Sequence, residues 1–554
     1  MAASHMYHRL PGNRFLSLGF YTLLFSVFIT ACGHRAKKPA PTGYTDDSFT
    51  DKLKEILKPI DTGNRKAIVS ISDNVRLTYQ DDDYQPVWVK ENYVPTAAAA
   101  QLITELEDMR WDGIDPETYG ISAIKKLKTK LDTTKQNAAQ DAIAFDTMLT
   151  HSYLAASRDL LIGLVVPKKV DSLWYHVNDT TWNAPAILAN AADKYTSLDE
   201  FRSKVPTYKL LRDEYKQYYT LQQDTAFLQA IAGIRPGRFV DSDMMDDIHY
   251  VMKAEMPWMD AAGNDTMSAD KQQITVYQQY AGIKVTGKLD SATLAALGAA
   301  PAVYMNKLRA NMERVRWMQR EFGNLYVLVD VPLAELFLRK DGDNAMHMRV
   351  VVGKPERQTP SLFANMANVV INPPWGVPPT ILKNDVIPGF QKDGKKYLDK
   401  KGLKPYDKKG HAVSIASLNA HNLKNFTYKQ DPGDDNSLGV VKFNLPNPWD
   451  IYLHDTPHRD DFVKSYRALS SGCIRLQQPQ QMAIYILSEL EKKRYTQDRL
   501  DSIIDTHKTR WEVLKNKIPV HIAYLTAFED TTGTHLRFAR DVYQRDTKLI
   551  AALN

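Results

Sequence analysis

Two cysteines in 554 residues leave this chain no disulfide framework. They stand at Cys32 and Cys473, too far apart in sequence to close a compact loop. Zinc spacing is missing too: there is no H-E-x-x-H and no Cys/His pair at ligand distance, so neither a metal nor a cofactor is expected. Charge of one sign is scarce. The net value of +6 is spread along the chain, with no basic face interleaved with aromatics, so nucleic acid is not an expected partner. A mildly basic balance suits an anionic surface such as cell wall or membrane. Long apolar runs are confined to Leu16–Thr30, short of the about 20 residues a bilayer span needs.

That one run has a context. MAASHM reads as the remnant of an expression tag. Arg9 and Arg14 precede the apolar stretch and "ITAC" closes it, the layout of a secretory signal. The ending on Cys32 resembles a bacterial lipobox, which implies cleavage before Cys32 and lipidation of its thiol. The chain is then expected at the periplasmic face of the cell envelope, membrane-anchored, with Cys473 its single thiol. Residues 33–50, polar with Pro, Gly and Lys, read as a tether.

The length exceeds one core. Residues 51–242 carry helical periodicity, as in "PTAAAAQLITELEDMRWDGIDPETYG", and read as a helical scaffold. Residues 243–302 change character. "ITVYQQYAGIKVTGKLDSATLAALG" (274–298) predicts helix, glycine-bounded turn and helix, with Asp290 or Ser291 as cap. A linking helix is expected over 303–322. From there the pattern turns to Val-, Ile- and Tyr-rich runs: "LYVLVDV" (325–331), "MHMRVVVG" (346–353), "MANVVINPPW" (366–375), "WDIYLHDT" (449–456) and "IPVHIAYLTAF" (518–528). Asp341-Gly342 between the first two suggests a hairpin. The lysine-rich 388–430, with little apolar periodicity, reads as a long insertion of the kind that often serves as a lid. The expected fold is multidomain α+β, with a mainly β catalytic domain over 323–530 and a C-terminal segment over 531–554.

Chemistry gathers around "YRALSSGCIRLQQ" (466–478). In "WDIYLHDT" the period of two puts Tyr452 and His454 on one face and Ile451 and Leu453 on the other. A thiol acts as nucleophile when an adjacent imidazole takes its proton. Ser470, Ser471 and Gly472 leave room for a substrate beside Cys473, and Gly472 permits a tight turn aiming N–H groups at an oxyanion. A helix is expected soon after Cys473, where its start would lower the thiol pKa. Arg475 is placed to clamp a carboxylate.

"HDTPHRDDFVKSYRALSSGCIRL" resembles the active-site signature of L,D-transpeptidases with a YkuD-type catalytic domain. "RVVVGKPERQTP", "VVINPPWGVPPTI" and "KQDPGDDNSLGVVKFNLPNPWDIYLHDTP" resemble the large, scaffold-bearing YcbB-like branch. The 274–298 stretch is similar to the small three-helix peptidoglycan-binding domain. The resemblance implies Cys473 as nucleophile, His454 as base, an oxyanion hole at Gly472 and Cys473, and a substrate groove with Tyr452, Trp375 and Arg475. It implies 388–430 as a capping insertion. The usual histidine before Gly-Cys is Ser471 here, and that position is not the base. The implied reaction releases D-Ala from a tetrapeptide donor through a thioester and forms a 3→3 cross-link between peptidoglycan stems, open to carbapenem-type inhibitors. Water as acceptor gives an L,D-carboxypeptidase or cross-link hydrolase instead, and a non-catalytic wall-binding lipoprotein is the third reading.

Overall fold

A computed structural model describes residues 47–58, 70–133, 137–176, 182–184, 187, 195–262 and 269–554. The signal, Cys32 and most of the expected tether lie outside them. The tether's last four residues belong instead to the helix Asp47–Leu57. No described helix is long and apolar enough to cross a membrane.

The scaffold is helical, as its periodicity predicts. Its longest helix, Ala138–Ile162, buries Asp146, which accepts the Trp88 and Val89 N–H groups at 2.6 and 3.1 Å and the Tyr79 hydroxyl at 2.5 Å. A buried carboxylate is tolerated there because donors surround it. Three helices follow: Ser242–Glu255, Ala269–Tyr280 and Ser291–Leu297, the last capped by Asp290. Between the second and third, the buried Gln278 side chain accepts from the Thr286 and Gly287 N–H groups at 2.7 and 2.9 Å, fixing the turn. The helix Pro301–Arg316 leads into the β region, and the C-terminal helix Asp546–Leu553 returns to it, joined by Arg314 to Asp546 at 2.6 Å.

The β region is a ten-stranded mixed sheet. In chain order its strands are β1 (Trp174–Tyr175), β2 (Leu325–Asp330), β3 (Glu335–Lys340), β4 (Asp343–Gly353), β5 (Ser361–Ile371), β6 (Val441–Asn444), β7 (Leu453–His454), β8 (Ala468–Ser470), β9 (Ile474–Leu476) and β10 (Arg510–Ala523). The order is β6-β7-β9-β4-β3-β2-β10-β5-β1, with β8 beside β4. β6 also pairs with β5, so the sheet closes on itself. One face packs into a core of Val, Leu and Ile that includes Val441, Phe443, Leu453 and Ile474. β1 belongs to the scaffold in sequence, yet it runs parallel to the start of β5.

Asp341-Gly342 does turn a hairpin, both at positive φ, but it joins β3 to β4. The apolar run Glu335–Lys340, unread in the sequence, is the strand between. The insertion also differs from expectation. Trp375–Gly376, Thr427–Gln430 and Lys404–Tyr406 form a three-stranded sheet. With the helices between them they enclose Val386, Phe390, Leu398, Leu403, Leu418, Leu423 and Tyr428. The segment is a small folded subdomain with its own core.

Candidate active site

β6, β7 and β9 lie side by side and fix the site by register. Lys442 pairs with His454, and His454 pairs with Arg475. Residues directly opposite in a sheet share a face. The neighbours Val441, Phe443, Leu453 and Ile474 all point into the core. The period of two therefore turns Lys442, Tyr452, His454, Cys473 and Arg475 outward together. His454 and Cys473, with eighteen residues between them in sequence, are brought to neighbouring strands because β7 and β9 run parallel.

His454 is buried, and its Nδ1 lies 2.5 Å from the Asp455 carbonyl. A carbonyl only accepts, so Nδ1 carries the proton and Nε2 is left as acceptor. Burial, then the Arg475 charge, pulls the imidazole down to about 3. The histidine is neutral at physiological pH and ready to take a proton. Asp455 is held in turn. Its side chain accepts from Val440 N at 2.9 Å and Thr456 N at 2.7 Å and pairs with Arg459.

The Cys473 side chain is part-exposed, and its Sγ donates to the Asp450 carbonyl at 3.5 Å. Burial pushes the thiol up, while hydrogen bonds from the Tyr452 N–H and hydroxyl, and the Lys442 charge, pull it back. Tyr452 is pushed well up, by burial and then by the charge of the neighbouring Cys473, so its hydroxyl stays protonated and can donate. Trp375, from the inserted subdomain, hydrogen-bonds that hydroxyl. The rings of Tyr452 and His454 meet edge to face, centroids 5.5 Å apart.

The turn before Cys473 is laced from inside. Ser470 is buried; its Oγ donates to the Cys473 carbonyl at 2.6 Å and accepts the Gly472 N–H at 3.1 Å. Ser470 thus builds the turn and does not line the groove. The Gly472 N–H is committed, so of the two groups expected at an oxyanion the Cys473 N–H is the one without a partner among the described residues. Gly472 has φ +121°, and a Cβ there would meet nothing closer than 3.8 Å. Backbone conformation, not crowding, calls for glycine. The exposed Ser471 Oγ accepts from Arg357 Nη1 at 2.9 Å, and Arg357 also pairs with Asp385 of the inserted subdomain.

Two expectations are corrected. Cys473 stands just before strand β9, and the helix after it starts only at Pro479, so no helix terminus lowers its pKa. Ile474 and Leu476 pack into the sheet core and keep the chain extended up to that helix. Arg475 is not a free clamp, because its Nη1 pairs with Asp461 at 3.1 Å. Lys442, Asp455, Arg357 and Asp385 were missed. Only Lys442 had a signal: a lysine between Val441 and Phe443 in an alternating strand.

Residues 324–507 match the model of the L,D-transpeptidase catalytic domain, and residues 73–214 match a scaffold domain. The chain carries an L,D-transpeptidase catalytic domain. A Haemophilus influenzae protein, provisionally assigned by name to the L,D-transpeptidases, is 34% identical over 224 residues. The match covers 40% of this chain and 45% of that relative, so the chain spans under half of its length. Among solved structures, L,D-transpeptidases of Enterococcus faecium (a cysteine-to-serine mutant) and Mycobacterium smegmatis each align with 36% of this chain at 13% identity. They are covered over 50% and 58% of their own chains, with TM-scores of 0.18. Overlap that slight carries nothing about site geometry. The transpeptidase match takes in Lys442, His454, Cys473, Arg475 and the whole inserted subdomain.

Proposed function

We propose that this protein forms 3→3 cross-links in peptidoglycan through a Cys473 thioester. The observation that carries the reading is a thiol and an Nδ1-protonated, neutral imidazole on one face of adjacent strands inside a transpeptidase domain. His454 Nε2 takes the Sγ proton as sulfur attacks the carbonyl between the third stem residue and D-Ala. The oxyanion is held by the Cys473 N–H. The imidazolium returns its proton to the departing D-Ala amine, and a thioester remains. The side-chain amine of a second stem attacks the thioester, forms the new amide and releases the thiol. Peptidoglycan stem peptides are thus both donor and acceptor. An electrophilic carbapenem ring would acylate the same sulfur.

Residues 243–302 would hold the glycan-peptide mesh as a wall-binding module, and a lipidated Cys32 would keep the enzyme at the membrane facing the periplasm. The test is mass spectrometry of the protein without residues 1–32, incubated with disaccharide-tetrapeptide beside Cys473→Ala. Dimers joined through two third-position residues, absent with the variant, support transfer. Tripeptide alone makes the protein a hydrolase. No product from either makes it a wall-binding lipoprotein. Labelling with palmitate, lost in Cys32→Ala, tests the anchor.

A further inference from the structure

Two cations stand on the catalytic face, and they are not equivalent. Arg475 is answered by Asp461 at 3.1 Å. Lys442, half-buried on β6, has no carboxylate within ion-pair distance among the described residues. Its ammonium lies 4.0 Å from the centroid of the Tyr452 ring. That ring's hydroxyl and its residue's backbone N–H both reach the Cys473 sulfur. A half-buried ammonium without a counter-ion is costly, so it is retained where an anion forms.

We propose that Lys442 is the counter-charge of the Cys473 thiolate, a positioning residue that makes the nucleophile available before substrate is attacked. The inference rests on the proposed thioester chemistry. The groups facing this pair are Tyr452, which supplies the ring and hydroxyl; Asp450 from the turn before β7, whose charge opposes the thiolate; and His454 and Arg475 along the row. Behind burial, both cations help to keep the His454 imidazole neutral, and both lie in the field of the sulfur. They differ in that Arg475 is already answered by Asp461, whereas Lys442 keeps its charge for the Cys473 sulfur. Trp375 of the capping subdomain reaches the Tyr452 hydroxyl from outside, and cover of that kind reduces screening of the charge.

The experiment is the rate of iodoacetamide alkylation of Cys473 against pH, in the full protein and in Lys442→Met and Lys442→Arg. This reads the thiolate directly and needs no cross-linking, so it fails or succeeds apart from the proposed function. Loss of the ammonium is expected to raise the alkylation midpoint by about one pH unit, a tenfold slower reaction at pH 7, with Lys442→Arg restoring most of it. An unmoved midpoint overturns the proposal. So does an unmoved midpoint with raised KM for the tetrapeptide, which would make Lys442 a substrate-carboxylate subsite. If Lys442→Met does not fold, ¹⁵N-lysine NMR of the unsubstituted protein decides. Capping Cys473 with iodoacetamide is expected to lower the pH at which Lys442 deprotonates, and no change overturns the proposal.

Discussion

Arg357 donates to Ser471 Oγ at 2.9 Å with one nitrogen while the same guanidinium pairs with Asp385. One side chain therefore ties the turn that carries Cys473 to the inserted subdomain. Charge-assisted hydrogen bonds of this kind contribute about 1.5–3 kcal/mol each. Arg357→Ala is expected to lower kcat/KM about tenfold and to speed proteolytic cutting within 375–430. Asp385→Asn is expected to do the same, and the double variant to add little. Additive losses would mean that the two residues act separately.

A second contact reaches the site from the scaffold. The rings of Tyr175 and Trp449 lie 3.9 Å apart, and Lys168 caps Tyr175 at 3.3 Å. Trp449 precedes Asp450, whose carbonyl accepts from Cys473. Aromatic pairs contribute about 0.5–1.5 kcal/mol beyond burial. Tyr175→Ala is expected to cut turnover severalfold with a small change in melting temperature, and Tyr175→Phe to keep both. Turnover untouched by Tyr175→Ala would remove the scaffold from any part in catalysis.

His454 lies near 3 and the thiol lies above its ordinary range. The resting pair is thus neutral thiol and neutral imidazole, not a preformed ion pair. Alkylation of Cys473 is expected to keep rising through pH 8, without a plateau near pH 5 that an imidazolium–thiolate pair would give. His454→Ala is expected to lower cross-linking by about 10²–10⁴-fold. A plateau at acid pH would contradict the neutral pair.

Glu255 is buried among Tyr218, Tyr277 and Glu214, and burial pushes it up to about 8; Glu214 rises to about 7. Both are held as neutral acids where the 242–255 helix meets the scaffold. A free carboxyl ionises near 4.5, so folding takes up protons above that pH. The stabilisation is complete below about pH 4.5 and is lost as pH rises through the folded values. Melting temperature is expected to fall between pH 5 and 9, and Glu255→Gln to flatten that fall. A melting temperature that rises over this range would show that Glu255 is charged in the fold.

The sequence carried the thiol and the imidazole openly. A thiol among small residues and an imidazole on an alternating strand are local patterns, and both stand where the pattern put them. The core faces of β2, β4 and β5 were legible for the same reason. What was hidden depends on strands meeting across long stretches of chain. Lys442 joins His454 only through the β6–β7 register, and Asp385 meets Arg357 only once the inserted subdomain has folded. That subdomain was read as charged loop because its buried side chains are scattered between Val386 and Tyr428 with no single period. The helix expected after Cys473 is present from Pro479, but the strand Ile474–Leu476 stands between it and the thiol.

Strand β1 has one more implication. Its two residues come from the scaffold but belong to the catalytic sheet, with the Ser361 N–H donating to Leu173 O at 3.0 Å and His176 Nε2 donating to Ile522 O at 2.9 Å. The boundary drawn by family matching is therefore not the boundary along which the protein can be cut. A fragment beginning near residue 324 would leave the start of β5 with open backbone groups and the buried His521 ring without its stacked neighbour His176. Such a fragment is expected to self-associate through that open edge.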